Sequence, residues 1–190
     1  MPRTLVPHGS FAAKERPSPL ARAIAGVLTP FSLVILLLAS GPAAAQELLG
    51  RVVSVHDGDT LTVLDATHVQ YRIRLTGIDA PESHQPYGQA SRKHLAERVA
   101  GKDVTIHWQK RDKYRRLLGR VEFEGGDMNL EQLRAGYAWH YLRYAAGQPS
   151  QERADYAQAE GQARRERVGL WQDSRPMPPW DYRHRPRRAP

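Results

Sequence analysis

The chain has 190 residues and a formal net charge of +8, and it contains no cysteine. This length suits one domain with appended segments, and the lack of cysteine excludes disulfides, thiol catalysis and cysteine-ligated zinc. Residues 1–45 contribute +3 and residues 175–190 contribute +4, which leaves the stretch between them close to neutral. Attraction to a polyanion must therefore depend on individual arginines and on the C-terminal tail.

Residues 1–45 have the three parts of a secretory signal peptide. A basic segment precedes an apolar run from Ala23 to Ala39, and Ala43-Ala44-Ala45 supplies a small-residue cleavage site before Gln46. The alternative is an uncleaved membrane anchor, since the run approaches the length that spans a bilayer. Pro30 interrupts the run and favours cleavage. We expect an exported protein, secreted or periplasmic, with a membrane partner only if the leader is retained.

Five short strands are predicted after the leader. They are residues 48–56, 61–64, 69–75, 104–109 and 117–123. Within 69–75, apolar and polar residues alternate, which places Arg74 on the face opposite the core residues. Five short strands separated by turn signals favour a small barrel.

Three helices are predicted. The first covers about residues 87–100 and stops at Gly101, the second begins at Asn129 as N-cap, and the third covers about residues 150–167. The third helix should bury a stripe formed by Tyr156, Ala159 and Ala163.

Residues 174–190 are rich in proline and arginine. This composition cannot build a core, so it predicts a disordered tail. Its arginines are either a solvated extension or a non-specific grip on nucleic acid. The chain is thus divided into a leader at 1–45, a globular domain at 46–173 and a tail at 174–190.

Between residues 57 and 82 the chain orders three carboxylates and an arginine. Asp57-Gly58-Asp59-Thr60 opens the stretch, Arg74 follows on a strand, and Asp79-Ala80-Pro81-Glu82 closes it. Each acidic segment alone is typical of an ordinary loop; Asp-Gly supplies an Asx-turn and a positive φ. Their joint occurrence around an arginine indicates a site.

The chemistry that this set suits is hydrolysis of a phosphodiester, which needs a hard cation, an oriented water and positive charge near the transition state. Asp59 and Asp79 can hold the cation, and Glu82 can orient the water or accept its proton. Arg74 and Arg116 can each form bidentate hydrogen bonds to phosphate oxygens. Such oxygen donors match calcium or magnesium rather than zinc or copper.

These motifs, together with Asp112-Lys113-Tyr114, Arg116 and Gly136-Tyr137-Ala138-Trp139, resemble the staphylococcal nuclease (thermonuclease) family from about Gly50 to Trp171. The resemblance implies an α+β, mainly β, fold with a five-stranded OB-type barrel and three α-helices. It also implies a calcium-dependent nuclease that acts on DNA and RNA and leaves 3′-phosphate ends.

The resemblance also assigns roles to individual residues. The catalytic residues implied are Arg74, Glu82 and Arg116, the metal ligands are Asp59, Asp79 and the backbone carbonyl of Ala80, and the substrate-binding residues are Lys113, Tyr114 and Tyr144. Tyr144 has an equally good structural interpretation.

The chain departs from the family pattern at Arg115, where the family usually has glycine before the second arginine. If this turn needs a positive φ, arginine there costs about 1–2 kcal/mol. The pose of Arg116 depends on the same turn.

Two other functions remain open. A non-catalytic OB-fold module would bind nucleic acid, although three acids would repel phosphate unless a cation intervened. A secreted phosphatase or cyclic-nucleotide esterase shares the chemistry and differs only in substrate. We favour an exported metal-dependent nuclease of low sequence specificity, monomeric and without an obligate protein partner.

Overall fold

The structure, a computed structural model, describes residues 46–185, apart from the side chains of residues 144–146. The predicted signal peptide, residues 1–45, and the last five residues lie outside the described part. Among the helices of residues 46–185, none combines the length and apolar character needed to cross a bilayer.

The described chain contains eight strands and four α-helices. The strands are β1 (Gln46–Asp57), β2 (Thr60–Leu64), β3 (Gln70–Leu75), β4 (Ile78–Asp79), β5 (Asp103–Arg111), β6 (Leu117–Phe123), β7 (Gly126–Asp127) and β8 (Trp139–His140). The helices are α1 (Gly88–Val99), α2 (Met128–Arg134), α3 (Ser150–Glu166) and α4 (Pro179–His184), with 3-10 turns at Leu142–Gly147 and Gly169–Gln172.

Five of these strands close into the predicted barrel. β1, β2 and β3 form an antiparallel meander, β5 pairs with β1, and β6 pairs with β5. A parallel pairing of β3 with β6 completes the ring. The mixed α+β fold with an OB-type barrel is therefore confirmed, with one helix more than the three expected.

The alternation predicted for the third strand holds at its C-terminal end. Ile73 and Leu75 are buried in the barrel core, whereas Arg74 points to the other face. Val69, which we expected to share the core face, lies before β3 and is 46% exposed. Its N–H donates instead to Asp65, in the turn that leads into β3.

The start of α2 differs from the prediction. Asp127, and not Asn129, caps this helix, because the Asp127 carboxylate accepts from the N–H groups of Asn129 and Leu130. The Asn129 side chain is buried, where it accepts from the N–H of Val121 and donates to the carbonyl of Thr76. Asn129 thus attaches α2 to the barrel instead of capping its N-terminus.

The third predicted helix, now α3, buries the expected stripe of Tyr156, Ala159 and Ala163. The Tyr156 hydroxyl donates to the second carboxylate oxygen of Asp127 at 2.9 Å. The capping residue of α2 therefore also fixes α3 against the barrel.

Residues 174–185 differ from the predicted disordered tail. Pro179 is buried at the first position of α4. The Trp180 ring packs against Trp139 and Tyr141, with centroid distances of 5.7 and 5.3 Å. Aromatic packing and a proline whose φ suits the first helical turn order this segment despite its average composition.

The loop between β1 and β2 is held closely by two helices. A Cβ atom on Gly58 would lie 1.7 Å from Ser91 Oγ of α1. Gln132 of α2 donates its Nε2 to the Gly58 carbonyl at 2.6 Å. Gly58 is required for this close approach and not for a positive φ, which was the wrong expectation.

Substitution of Gly58 tests this contact. Gly58→Ala should destabilise the protein by about 1–3 kcal/mol, because the added methyl group overlaps Ser91 in a packed interface. Urea unfolding followed by tryptophan fluorescence measures the change. Gly147→Ala is the matched control, since no atom lies within 4 Å of its Cβ position. Equal stability of the two variants would show that the helix does not constrain the loop.

Candidate active site

Arg74 joins the two buried carboxylates that the sequence singled out. Its Nη1 lies 2.9 Å from Asp59 Oδ2, and its Nη2 lies 2.8 Å from Asp79 Oδ1. Nη1 also donates to the backbone carbonyls of Leu75 and Ile78, which lie on either side of the turn from β3 to β4. One guanidinium therefore holds both acids and the chain between them.

The residues predicted as metal ligands lie together. Asp79 ends β4, and its side chain is 1% exposed; that of Asp59 is 7% exposed. The N–H of Ala80 donates to Asp59 Oδ2 at 2.6 Å. Asp57 Oδ1 accepts from the N–H of Asp59 at 3.0 Å, which forms the expected Asx-turn.

Burial, and after it the neighbouring charges, govern the ionisation of Asp59. Burial raises the pKa of Asp59 well above its ordinary value; Arg74 opposes this effect, and Asp57 and Asp79 add to it. Negative charge is therefore poorly compensated at this position. Additional positive charge nearby would favour the ionised form of Asp59.

Glu82 lies on the loop after β4 and is partly exposed, with 40% of its side chain accessible. Its N–H donates to the side-chain oxygen of Gln85 at 3.2 Å, which fixes the loop locally. The partial exposure leaves the carboxylate able to contact water. The structure thus brings Glu82 close to the buried acids without burying it among them.

A third arginine, Arg183 of α4, lies between Glu82 and Asp79. Its ion pairs are 2.7 Å to Glu82 and 2.6 Å to Asp79. Sequence reasoning missed Arg183 because it was assigned to a disordered tail. Trp180 and Tyr182, two aromatic residues just ahead of it, were the signal that this part of the tail packs.

Arg116 immediately precedes β6, the strand that pairs with β3. The β3–β6 pairing aligns Ile73 with Leu117, and both are buried in the core. Arg74 follows Ile73 in β3 and Arg116 directly precedes Leu117, so this pairing brings the two arginine-bearing segments side by side. Arg116 is held within its own turn, with Nε 2.7 Å from Asp112 Oδ2.

The turn before Arg116 does contain a residue with a positive φ. Arg115 has a φ of +64°, in the left-handed region where glycine is favoured. Hydrogen bonds from Arg115 and Arg116 to Asp112 close this turn. The backbone of Arg115 is strained at this φ. The Asp112 carboxylate nevertheless holds the side chain of Arg116 in place.

Lys113 and Tyr114 occupy the same turn. Tyr114 is 67% exposed, with Lys113 Nζ 5.0 Å and Arg116 Cζ 5.5 Å from its ring centroid. An exposed ring flanked by cations can stack on a base and contact a phosphate. The side chain of Tyr144 lies outside the described part, so its assignment stays a prediction.

A divalent cation fits this donor set. Asp59 and Asp79 supply hard oxygens, and the Arg183 guanidinium on Asp79 shows that positive charge is accommodated there. Within residues 46–185, no group of three or more His, Asp or Glu side chains forms a complete metal site. The Ala80 carbonyl and water would have to complete the shell.

Comparison with known proteins places the chain in a family. Residues 72–173 match the staphylococcal nuclease homologue family. A protein of Escherichia coli named an uncharacterized endonuclease is 42% identical over 154 residues, which cover 80% of this chain and 95% of that protein. The micrococcal nuclease of Shigella flexneri is 36% identical over 171 residues, covering 85% and 95%. This chain belongs to the staphylococcal nuclease family.

Proposed function

We propose that this protein is an exported, calcium-dependent nuclease that hydrolyses phosphodiester bonds in DNA and RNA with little sequence preference. Its relatives include nucleases by name, and the family generally depends on a divalent cation. The observation that carries the proposal is the buried pair Asp59 and Asp79, joined by Arg74 beside the accessible Glu82.

The acids of the site would bind the cation. Asp59, Asp79 and the carbonyl of Ala80 would be its protein ligands, and water would fill the remaining positions. When bound, the cation supplies Lewis-acid polarisation of a phosphoryl oxygen and offsets its negative charge. Calcium suits this set because it accepts carboxylate, carbonyl and water oxygens in a flexible, irregular geometry.

Glu82 would act on the attacking water. Its exposed carboxylate can orient a water in line with the phosphorus and accept the proton that the water loses. The new bond joins the water oxygen to phosphorus, the bond to the 5′ oxygen breaks, and the departing oxygen takes up a proton from solvent water. The products expected are a 3′-phosphate and a 5′-hydroxyl.

The two arginines would stabilise the transition state. Arg74 is rigid, because Asp59 and Asp79 hold it at short distances. Arg116 is held through Nε by Asp112, so its Nη groups would contact the phosphoryl oxygens. Tyr114 and Lys113 would bind the substrate beside them, and Tyr144 is a further candidate for this role.

Removal of the cation tests the proposal most directly. Cleavage of plasmid DNA and of a structureless RNA should stop in excess chelator and return with calcium. Magnesium should restore it poorly, because it demands stricter octahedral geometry. Gel analysis of both substrates measures the effect. Full activity in chelator would contradict the metal site, and binding without cleavage in calcium would favour the non-catalytic module.

Substitution at Arg116 separates catalysis from binding. Arg116→Ala should lower the single-turnover rate on a short oligonucleotide by about 10²–10³, the usual effect of losing one transition-state donor. Nucleic-acid affinity should change much less. Arg115→Gly is the matched variant and should keep or raise activity. It should also stabilise the protein by about 1 kcal/mol, since it relieves the left-handed arginine.

Substitutions at Arg115 and Arg116 can also show that the catalytic role was assigned to the wrong arginine. If Arg116→Ala cleaves at the wild-type rate while Arg115→Ala is inactive, the catalytic arginine is Arg115. The thermal unfolding midpoint of each variant is measured alongside, so that loss of fold is not mistaken for loss of chemistry.

Export depends on the leader, residues 1–45. Cleavage after Ala45 should give a mature chain that begins at Gln46. N-terminal sequencing of protein recovered from the periplasm or medium checks this. An intact Met1 on membrane-bound material would instead support an anchor.

A further inference from the structure

The C-terminal segment places a guanidinium directly on the carboxylates of the site. Arg183 Nη2 lies 2.6 Å from Asp79 Oδ2, and Nη1 lies 2.7 Å from Glu82 Oε1. Nη1 also donates to Asp79 Oδ1 at 3.2 Å. This guanidinium therefore engages both oxygens of Asp79 and one oxygen of Glu82.

An apolar anchor holds this segment, residues 176–185, independently of the ion pairs. Pro179 is buried, and the Trp180 ring packs against Trp139 and Tyr141. Trp139 itself packs against Trp171, so the anchor continues into a buried apolar cluster that also contains Ala163 and Leu170. The position of Arg183 is thus set by packing as well as by charge.

Two hydrogen bonds attach the segment to the loop that carries Glu82. The side chain of Gln85 donates to the carbonyl of Met177 at 2.6 Å. The Tyr182 hydroxyl donates to the carbonyl of His84 at 3.1 Å. These two hydrogen bonds join the segment to the loop in addition to the ion pairs, so that movement of one affects the other.

The contacts of Arg183 conflict with the proposed metal site. Arg74 occupies Asp79 Oδ1 at 2.8 Å, and Arg183 occupies Oδ2. A divalent cation that used Asp79 as a ligand would need the space and the oxygen that Arg183 takes. Like charge would also repel the two at this short distance.

We propose that residues 176–185 form an autoinhibitory latch, in which Arg183 takes the place of the divalent cation on Asp79 and must leave before the cation binds. This inference rests on the cation site proposed above. The latch keeps the site closed where free divalent cation is scarce. Its release exposes Asp79 and Glu82 together, so that one movement opens the metal site and frees the residue that orients water.

Calcium affinity of the full-length chain, stripped with chelator and titrated with calcium chloride in a calorimeter, tests the latch. Arg183→Ala should lower the Kd for calcium about tenfold if the latch is closed nine-tenths of the time. Trp180→Ala should also lower the Kd, because it removes the apolar anchor without altering any charge. Arg185→Ala, which removes one exposed arginine two residues further on, should leave the Kd within about twofold.

The outcomes separate this proposal from the one on which it rests. Equal calcium affinity in all four proteins would overturn the latch and leave the cation site intact. Failure of every protein to bind calcium, with circular dichroism showing a folded chain, would overturn both. If Arg183→Ala binds calcium as the wild type does but cleaves more slowly at saturating calcium, Arg183 contacts substrate and is not a latch.

Discussion

The bridge from Asp59 through Arg74 to Asp79 is the interaction on which the site depends. Two buried carboxylates repel each other, and removing one partner of a buried ion pair typically costs about 3–5 kcal/mol. Arg74 offsets this repulsion and also binds the backbone around the β3–β4 turn. The position of Arg74 on β3 thus fixes the side chains of Asp59 and Asp79 before any ligand binds. The arginine proposed to act on the substrate is therefore also a structural residue of the site.

Much of this arrangement could be predicted from the sequence, because it is local. Alternation along β3 indicated that Arg74 would face away from the core, and it does. The spacing of Asp59 and Asp79 around that strand predicted their convergence. The glycine usually found in the family at the position of Arg115 raised the question of a positive φ there, and the structure shows one. Each of these three features is determined by residues nearby in the sequence or on the strands next to them.

The features that were not predicted depend on contacts between distant segments. Asp127 and Asn129 are both residue types that cap helices well. Asn129 forms hydrogen bonds to the barrel instead, which leaves Asp127 as the cap. Gly58 looked like a turn glycine, whereas the helix beneath it requires its small size. The tail was assessed by its average composition, which concealed the packing of Trp180 and with it the position of Arg183.

The parallel pairing of β3 with β6 has a consequence for the order in which the enzyme is assembled. These strands are separated along the chain by β4, α1 and β5, so their pairing requires closure of a long loop, a slow step in folding. Asp59, Arg74 and Asp79 all belong to the early, local part of the chain. Arg116 joins them only when the ring closes. A chain arrested before that step would hold the acids and Arg74 but lack the second arginine. With the role proposed for Arg116, the onset of cleavage during refolding would report barrel closure.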